Sequence, residues 1–291
     1  MNSRPYKIVD VFSHRPMLGN PLAVILDVEG LDTDTMQSIA RFTNLSETTF
    51  VVPPTNPEAD YGVRIFTPMS ELPFAGHPTL GTAFAVRQAG LVDVSKTRLI
   101  QQSEVGLVSI EIINSDHGDV LSFCLPSATI TRLNLNDQAE LEAIIDCEIV
   151  KNAPASIINV GVVWIVAQIH SVDALLAIRP DHIRSAAFEK RLGASGGITL
   201  FARYRGDDKA IEVRSFAASC GVAEDPVCGS GNGSVAAYMR HYGLLPPDGE
   251  TYRAGQGQCV GRDGEIFVTI TDDQILIGGH CVGVMDGVLR L

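Results

Sequence analysis

The chain has 291 residues, 45% hydrophobic and 19% charged, an ordinary globular composition for one large or two medium domains. Its 22 Lys and Arg against 34 Asp and Glu leave a net charge of −12 with no basic run, which argues against nucleic acid and anionic membranes as partners. There is no N-terminal apolar core with a cleavage signature, and the longest apolar stretch, "IINVGVVWIVAQI", is too short to span a bilayer, so a cytoplasmic protein is expected.

In the first half, short β-branched or aromatic runs predict strands at 6–12, 22–26, 48–53, 61–66, 106–113 and 120–126, with helical patterns at 33–43 and 78–89. Residues 125–137, "LPSATITRLNLND", read as a linker between two strand-rich halves. The second half predicts strands at 158–169, 196–204, 210–216, 265–270 and 274–279, and helices at 137–146, 172–178 and 231–242. Helices punctuate the strands without alternating with them, so the fold class is α+β and not a doubly wound parallel sheet. The six cysteines form no C-x-x-C pair, and a chain of this size needs no disulfide staples; they read as reduced thiols.

Two segments about 150 residues apart share an order of features. "VRIFTPMSELPFAGHPTLGTAFAV" begins at Val63 and "VRSFAASCGVAEDPVCGSGNGSVAAY" at Val213. Glu71 corresponds to Glu224, Pro73 to Pro226, Ala75 to Cys228, Gly76 to Gly229 and His77 to Ser230. The reading is a duplicated domain, each half a curved sheet with a helix entered through a glycine turn.

In the first turn Gly76 supplies backbone freedom, and His77 is placed to cap a helix whose first position is Pro78. In the second, "CGSGNGS" bares main-chain N–H groups at another helix start, with Ser230 or Asn232 as cap. Each turn could bind a small anion or be a plain strand-to-helix connection. The G-x-G-x-G run lacks the spacing and the alternating strand–helix series of a dinucleotide fold. No phosphate-binding G-x-x-x-x-G-K-[ST] loop and no metal-spaced cluster is present, so neither cofactor nor metal is expected.

The segments "GNPLAV" (19–24), "NLSETTF" (44–50), "FTPMSELPFAGHPTLGTA" (66–83) and "EDPVCGSGNGS" (224–234) closely resemble the phenazine-biosynthesis isomerase-like family, relatives of diaminopimelate epimerase. The resemblance implies a diaminopimelate epimerase-like fold of two pseudo-symmetric domains, each a β-barrel-like sheet around a central helix, with the active site between them. The first domain is then 1–126 plus a returning C-terminal strand, 280–291, and the second 127–279. It also implies a homodimer acting on a small carboxylic acid.

By the same resemblance Glu47 is the proton-shuttling glutamate, His77 a substrate contact, and Asp225 the acidic residue that holds or helps protonate substrate. Gly76, Gly229 and Ser230 supply the turns that bind the substrate carboxylate. From the residues alone, Glu47 also reads as a cap or surface residue, His77 as a helix cap and Asp225 as a surface turn. A carboxyl beside the apolar "FVV" is expected to have a raised pKa, and a histidine at a helix N-terminus to be neutral. Cys228 departs from the phenazine isomerase pattern but matches the catalytic cysteine of epimerases and proline racemases, whose partner position here is Ala75. Two readings of it stand: a base lowered in pKa at a helix start, or a small buried filler.

The favoured function is a cofactor-independent isomerase catalysing a 1,3-proton shift. The alternatives are an amino-acid epimerase or racemase using Cys228 with Glu47, and a non-catalytic binding protein. Substrate choice is expected to lie in loops such as 13–20 and 203–210.

Overall fold

The computed structural model describes residues 3–206, 208–246, 250–271 and 273–291; Asp207, in the second of those loops, lies outside them. The chain divides into two compact units, Met1–Phe123 with Gly278–Leu291, and Cys124–Ile277. The first unit runs β1 (Ser3–Val11), β2 (Asn20–Ile25), α1 (Thr33–Thr43), β3 (Thr48–Val52), β4 (Tyr61–Phe66), β5 (Glu71–Leu72), α2 (Gly76–Gln88), β6 (Arg98–Ser103), β7 (Gly106–Ile113) and β8 (Val120–Cys124). The second runs β9 (Thr129–Arg132), α3 (Leu135–Ile145), β10 (Ser156–Asn159), β11 (Val163–Gln168), α4 (Val172–Ala177), α5 (His182–Leu192), β12 (Gly197–Arg203), β13 (Ile211–Ala217), β14 (Val222–Asp225), α6 (Gly229–His241), β15 (Thr251–Gln256) and β16 (Gly264–Ile270). The last strand, β17 (Ile275–Arg290), carries the chain out of the second unit and back into the first.

Both units repeat one pairing scheme. In the first, β1–β2 is antiparallel, β2–β3 parallel, β3–β4 antiparallel, β4–β6 parallel and β6–β7 antiparallel. In the second, β10–β11, β11–β12, β12–β13, β13–β15 and β15–β16 follow the same senses in the same order. The far end of β17 pairs antiparallel with β1, as β9 pairs with β10. β9 and the start of α3 therefore occupy the expected linker. Asn134 caps α3 by accepting from Asp137 N, so 125–137 is structured wall.

A helix runs through the core of each unit. α2 is buried on nearly all sides, from His77 to Val86, and α6 from Gly229 to Met239, as expected of helices with wall on every side and not of surface helices with one apolar stripe. Their buried polar groups are satisfied locally. Thr82 donates to Thr49 at 2.9 Å, and Tyr61 to Gln101, which donates to Thr79. Tyr238 donates to the Ala153 carbonyl at 3.0 Å. A second apolar cluster joins Leu141, Ile144, Leu175 and Phe188 of α3–α5 to Ile165, Ile198 and Phe216 of the strands.

The sequence repeat has a physical counterpart. Arg64 of β4 holds Glu71 of β5 through Nε and Nη2, both at 2.7 Å, and lies over the Phe66 ring. Arg214 of β13 holds Glu224 of β14 at 2.9 and 2.8 Å and lies over Phe216. The repeated V-R-x-F and E-x-P motifs thus staple a short strand to its neighbour in each unit.

Some expectations are corrected. The single strand expected at 158–169 is a hairpin, broken at Gly161 with φ +94°. α5 was not anticipated although its signals are present, Asp181 capping Ile183 and Arg184 and Gly193 closing the helix in the left-handed region. β6 ("RLIQQS") and β15 ("TYRAGQ") escaped a hydrophobicity reading because their polar residues face inward partners, Gln101 and Gln256 being fully buried. One position demands glycine outright: Gly197 has φ +105°, and a Cβ there would stand 2.0 Å from the Phe216 carbonyl oxygen. Gly197→Ala is expected to cost ~3 kcal/mol or more in urea unfolding, through strain and the opened β12–β13 pair.

Candidate active site

In the first unit, α1 ends at Asn44 in the left-handed conformation, and Glu47 follows immediately before β3. Its side chain is 17% exposed, and Oε2 stands 3.3 Å from His77 Nδ1 in the first turn of α2. Burial pushes the His77 pKa down to about 3, against a small opposing effect of its hydrogen bond to the Pro21 carbonyl. The imidazole is neutral at physiological pH, as expected, but the cause is desolvation. Nε2 is buried and meets no hydrogen-bond partner among the described residues. With the hydrogen on Nδ1, Nε2 presents a bare lone pair.

His77 does not cap its helix. The N-cap is Ala75, without a side-chain bond, because His77 is already the second helical residue. Gly76 likewise does not adopt a left-handed conformation. It is glycine because a Cβ would lie 2.8 Å from Cζ of Phe123.

Asn20 and Asp10 were not singled out, though "GNPLAV" contains the first. Both are buried, and Asp10 Oδ2 accepts from Gly19 N at 2.9 Å, pinning the loop ahead of β2. Phe12 and Met17 in that loop adopt φ +65° and +68°, rare for large side chains.

In the second unit the helix cap is Cys228 itself, where Ser230 or Asn232 was expected. Gly231 N donates to its Sγ at 3.3 Å, Ser230 Oγ lies 3.6 Å from the same sulfur, and Cys228 N donates to Gln256 Oε1. Asn232 Nδ2 donates to both the Cys228 carbonyl and Gln256 Oε1. Gln256 Nε2 completes the frame by donating to the Asp225 carbonyl at 3.0 Å. Gln256 and Asn232 therefore lock the turn, roles no spacing could reveal because they sit 24 residues apart.

Asp225 closes β14, and Val227 N donates to its Oδ1 at 3.2 Å. Burial raises its pKa to about 6, above the ordinary 3.8, while hydrogen bonds from the Cys228 thiol and Val227 N pull the other way. A raised pKa means that the folded protein holds this proton more tightly than the unfolded chain. The associated stability is complete below about pH 4 and is lost as pH rises through about 6. Asp225→Asn is thus expected to be more stable than the parent by ~1–3 kcal/mol at pH 7.5, with the difference vanishing at pH 4, in urea unfolding at both values.

Each unit therefore places its candidate groups at the start of its buried helix: Glu47, Gly76 and His77 in the first, and Asp225, Cys228, Gly229 and Ser230 in the second. Among the described residues no three His, Cys, Asp or Glu stand in position to hold a metal ion, and no helix is long and apolar enough to cross a membrane.

A family described as phenazine biosynthesis-like protein matches residues 9–287. The chain is 34% identical over 296 residues to antisense-enhancing sequence 1 of Schizosaccharomyces pombe, covering 99% of each. It is 34% identical over 269 residues to the trans-2,3-dihydro-3-hydroxyanthranilate isomerase of Pseudomonas fluorescens, covering 90% of this chain and 88% of that one. Among solved structures, a Bacillus anthracis phenazine biosynthesis protein superposes with TM-score 0.90 at 27% identity over the whole of both chains. A hydroxyproline epimerase from Agrobacterium vitis superposes with TM-score 0.65 at 12% identity, covering 99% of this chain and 92% of that one, a likeness of fold alone.

Proposed function

Because the chain belongs to the phenazine biosynthesis-like family, with the α+β epimerase-like fold, we propose that it is a cofactor-independent isomerase that moves a proton within a small carboxylic acid, Glu47 taking and returning it. Its curated relatives include several named as isomerases, so the reaction class carries over more readily than any substrate. The observation that carries this reading is the contact of Glu47 with a buried, neutral His77 whose Nε2 lone pair has no partner among the described residues.

The chemistry follows from those groups. The Glu47 carboxylate removes a C–H proton, and the electron pair spreads through an adjoining double bond toward the substrate carboxylate. The Glu47 carboxylic acid then returns the proton two carbons away while the double bond shifts. The step is redox-neutral and needs only one base. His77 Nε2 accepts from a substrate hydroxyl or amine, while Nδ1 lies 3.3 Å from Glu47 Oε2. Asp225 with its pKa near neutral can hold a proton or release one. The Ser230 hydroxyl and the positive end of α6 suit binding of a carboxylate.

A second reading, an amino-acid epimerase, draws on Cys228 at the start of α6, whose Sγ accepts from the Gly231 N–H. Proton NMR in D2O separates the two. With trans-2,3-dihydro-3-hydroxyanthranilate the expected result is exchange of the C3 hydrogen, with a panel of α-amino acids and hydroxyprolines untouched. Exchange at an α-carbon with inversion would instead make Cys228 the working base. A homodimer belongs to the same proposal and is tested by light scattering, which should read twice the 31.2 kDa of the chain.

A further inference from the structure

We propose that Trp164, the chain's one tryptophan, is a positioning residue that turns the Ser230 hydroxyl into a hydrogen-bond donor for a carboxylate ligand. The inference rests on the reading of Ser230 as a carboxylate contact. Trp164 Nε1 donates to Ser230 Oγ at 3.1 Å. An indole N–H can only donate, so this bond occupies a lone pair of Ser230 and leaves its own proton free to point elsewhere. Among the described residues the hydroxyl also approaches the Cys228 sulfur, at 3.6 Å, a weak acceptor that an anionic oxygen outcompetes. Without the indole, that lone pair is unoccupied and the hydroxyl proton is no longer held in one direction.

The indole is seated by the backbone around it. Trp164 in β11 is only 3% exposed and lies opposite Gly197 in the parallel β11–β12 pair. A Cβ on Gly196 would stand 2.4 Å from indole Cε2 and 2.7 Å from Nε1. The ring therefore fills the space that a glycine leaves open, and its N–H direction is fixed by packing and not by a flexible side chain. Ser230 itself sits at the second position of α6, where the helix start adds an attraction for negative charge.

The test uses the full chain and 3-hydroxyanthranilate, an aromatic acid that cannot undergo the proton shift, as probe. One tryptophan gives a single indole N–H resonance, and it is expected to move on titration of the wild-type protein and to stay put in Ser230→Ala. Trp164→Phe, which keeps the ring and removes the N–H, is expected to weaken binding about tenfold, as Ser230→Ala does. The double variant is expected to bind no worse than Ser230→Ala alone, because Trp164 acts only through that hydroxyl. Losses that add, or a Trp164→Phe variant that binds as wild type while Ser230→Ala does not, overturn the positioning role. Unaltered binding in Ser230→Ala overturns the carboxylate reading of Ser230 and leaves the Glu47 chemistry to its own test. A wild-type indole resonance that the probe does not move overturns the inference even where Trp164→Phe fails to fold.

Discussion

Glu47→Gln is expected to lower C3 hydrogen exchange and product formation by 10²–10⁴-fold, the range for loss of a general base, while leaving the fold intact. The amide keeps the size of the carboxylate beside His77, whose Nδ1 lies 3.3 Å from Glu47 Oε2, but it can neither take nor return a proton. Circular dichroism and urea unfolding should match the parent, since the side chain is a partly exposed loop group and not a core residue. His77→Asn should act differently, mainly on substrate affinity, because the role proposed for His77 is to accept from substrate at Nε2 and not to carry the proton. An unchanged exchange rate in Glu47→Gln would remove it from the chemistry and return attention to Cys228.

The second large effect concerns stability. Arg214→Met is expected to cost about 3–5 kcal/mol in urea unfolding, against about 1 kcal/mol for Arg64→Met at the equivalent position of the first unit. The two arginines have the same sequence context, sit on equivalent strands and hold equivalent glutamates, so motif alone gives no reason for a difference. Burial does: the Arg214 and Glu224 side chains are 4% and 10% exposed, whereas Arg64 and Glu71 are both 31% exposed. Arg214 also donates to the Leu175 and Ile178 carbonyls at 2.9 and 2.8 Å, holding the end of α4. Its loss leaves a buried carboxylate and two carbonyls without their cation. Equal costs for the two substitutions would mean that the staple, and not its desolvation, sets the energy.

Much of the architecture was legible because it is written in local patterns. Runs such as "YGVRIF" and "GGITLFARY" are β-branched and bounded by turn residues, and they are strands. The helical pattern at 33–43 is α1, whose ends the structure ascribes to Asp32 as cap and Asn44 in the left-handed conformation. The repeat around Val63 and Val213 announced two similar units, which the matching pairing scheme displays. Elements failed to show where polar residues face inward, as in β6 and β15, or where one apolar run folds back on itself, as at Gly161.

The sequence by itself determined the family, the fold class and the residues worth testing, because a turn such as "AGHP" or "CGSGNGS" carries its chemistry in adjacent positions. Only the tertiary structure decided how those residues are tuned. Neutral His77 results from burial, Asp225 near pH 6 from desolvation, and the Cys228 cap from a helix start framed by Gln256 and Trp164, residues far away in sequence. Desolvation and hydrogen-bond geometry depend on what the chain packs around a group, and that is fixed by contacts between distant strands, which no local pattern encodes.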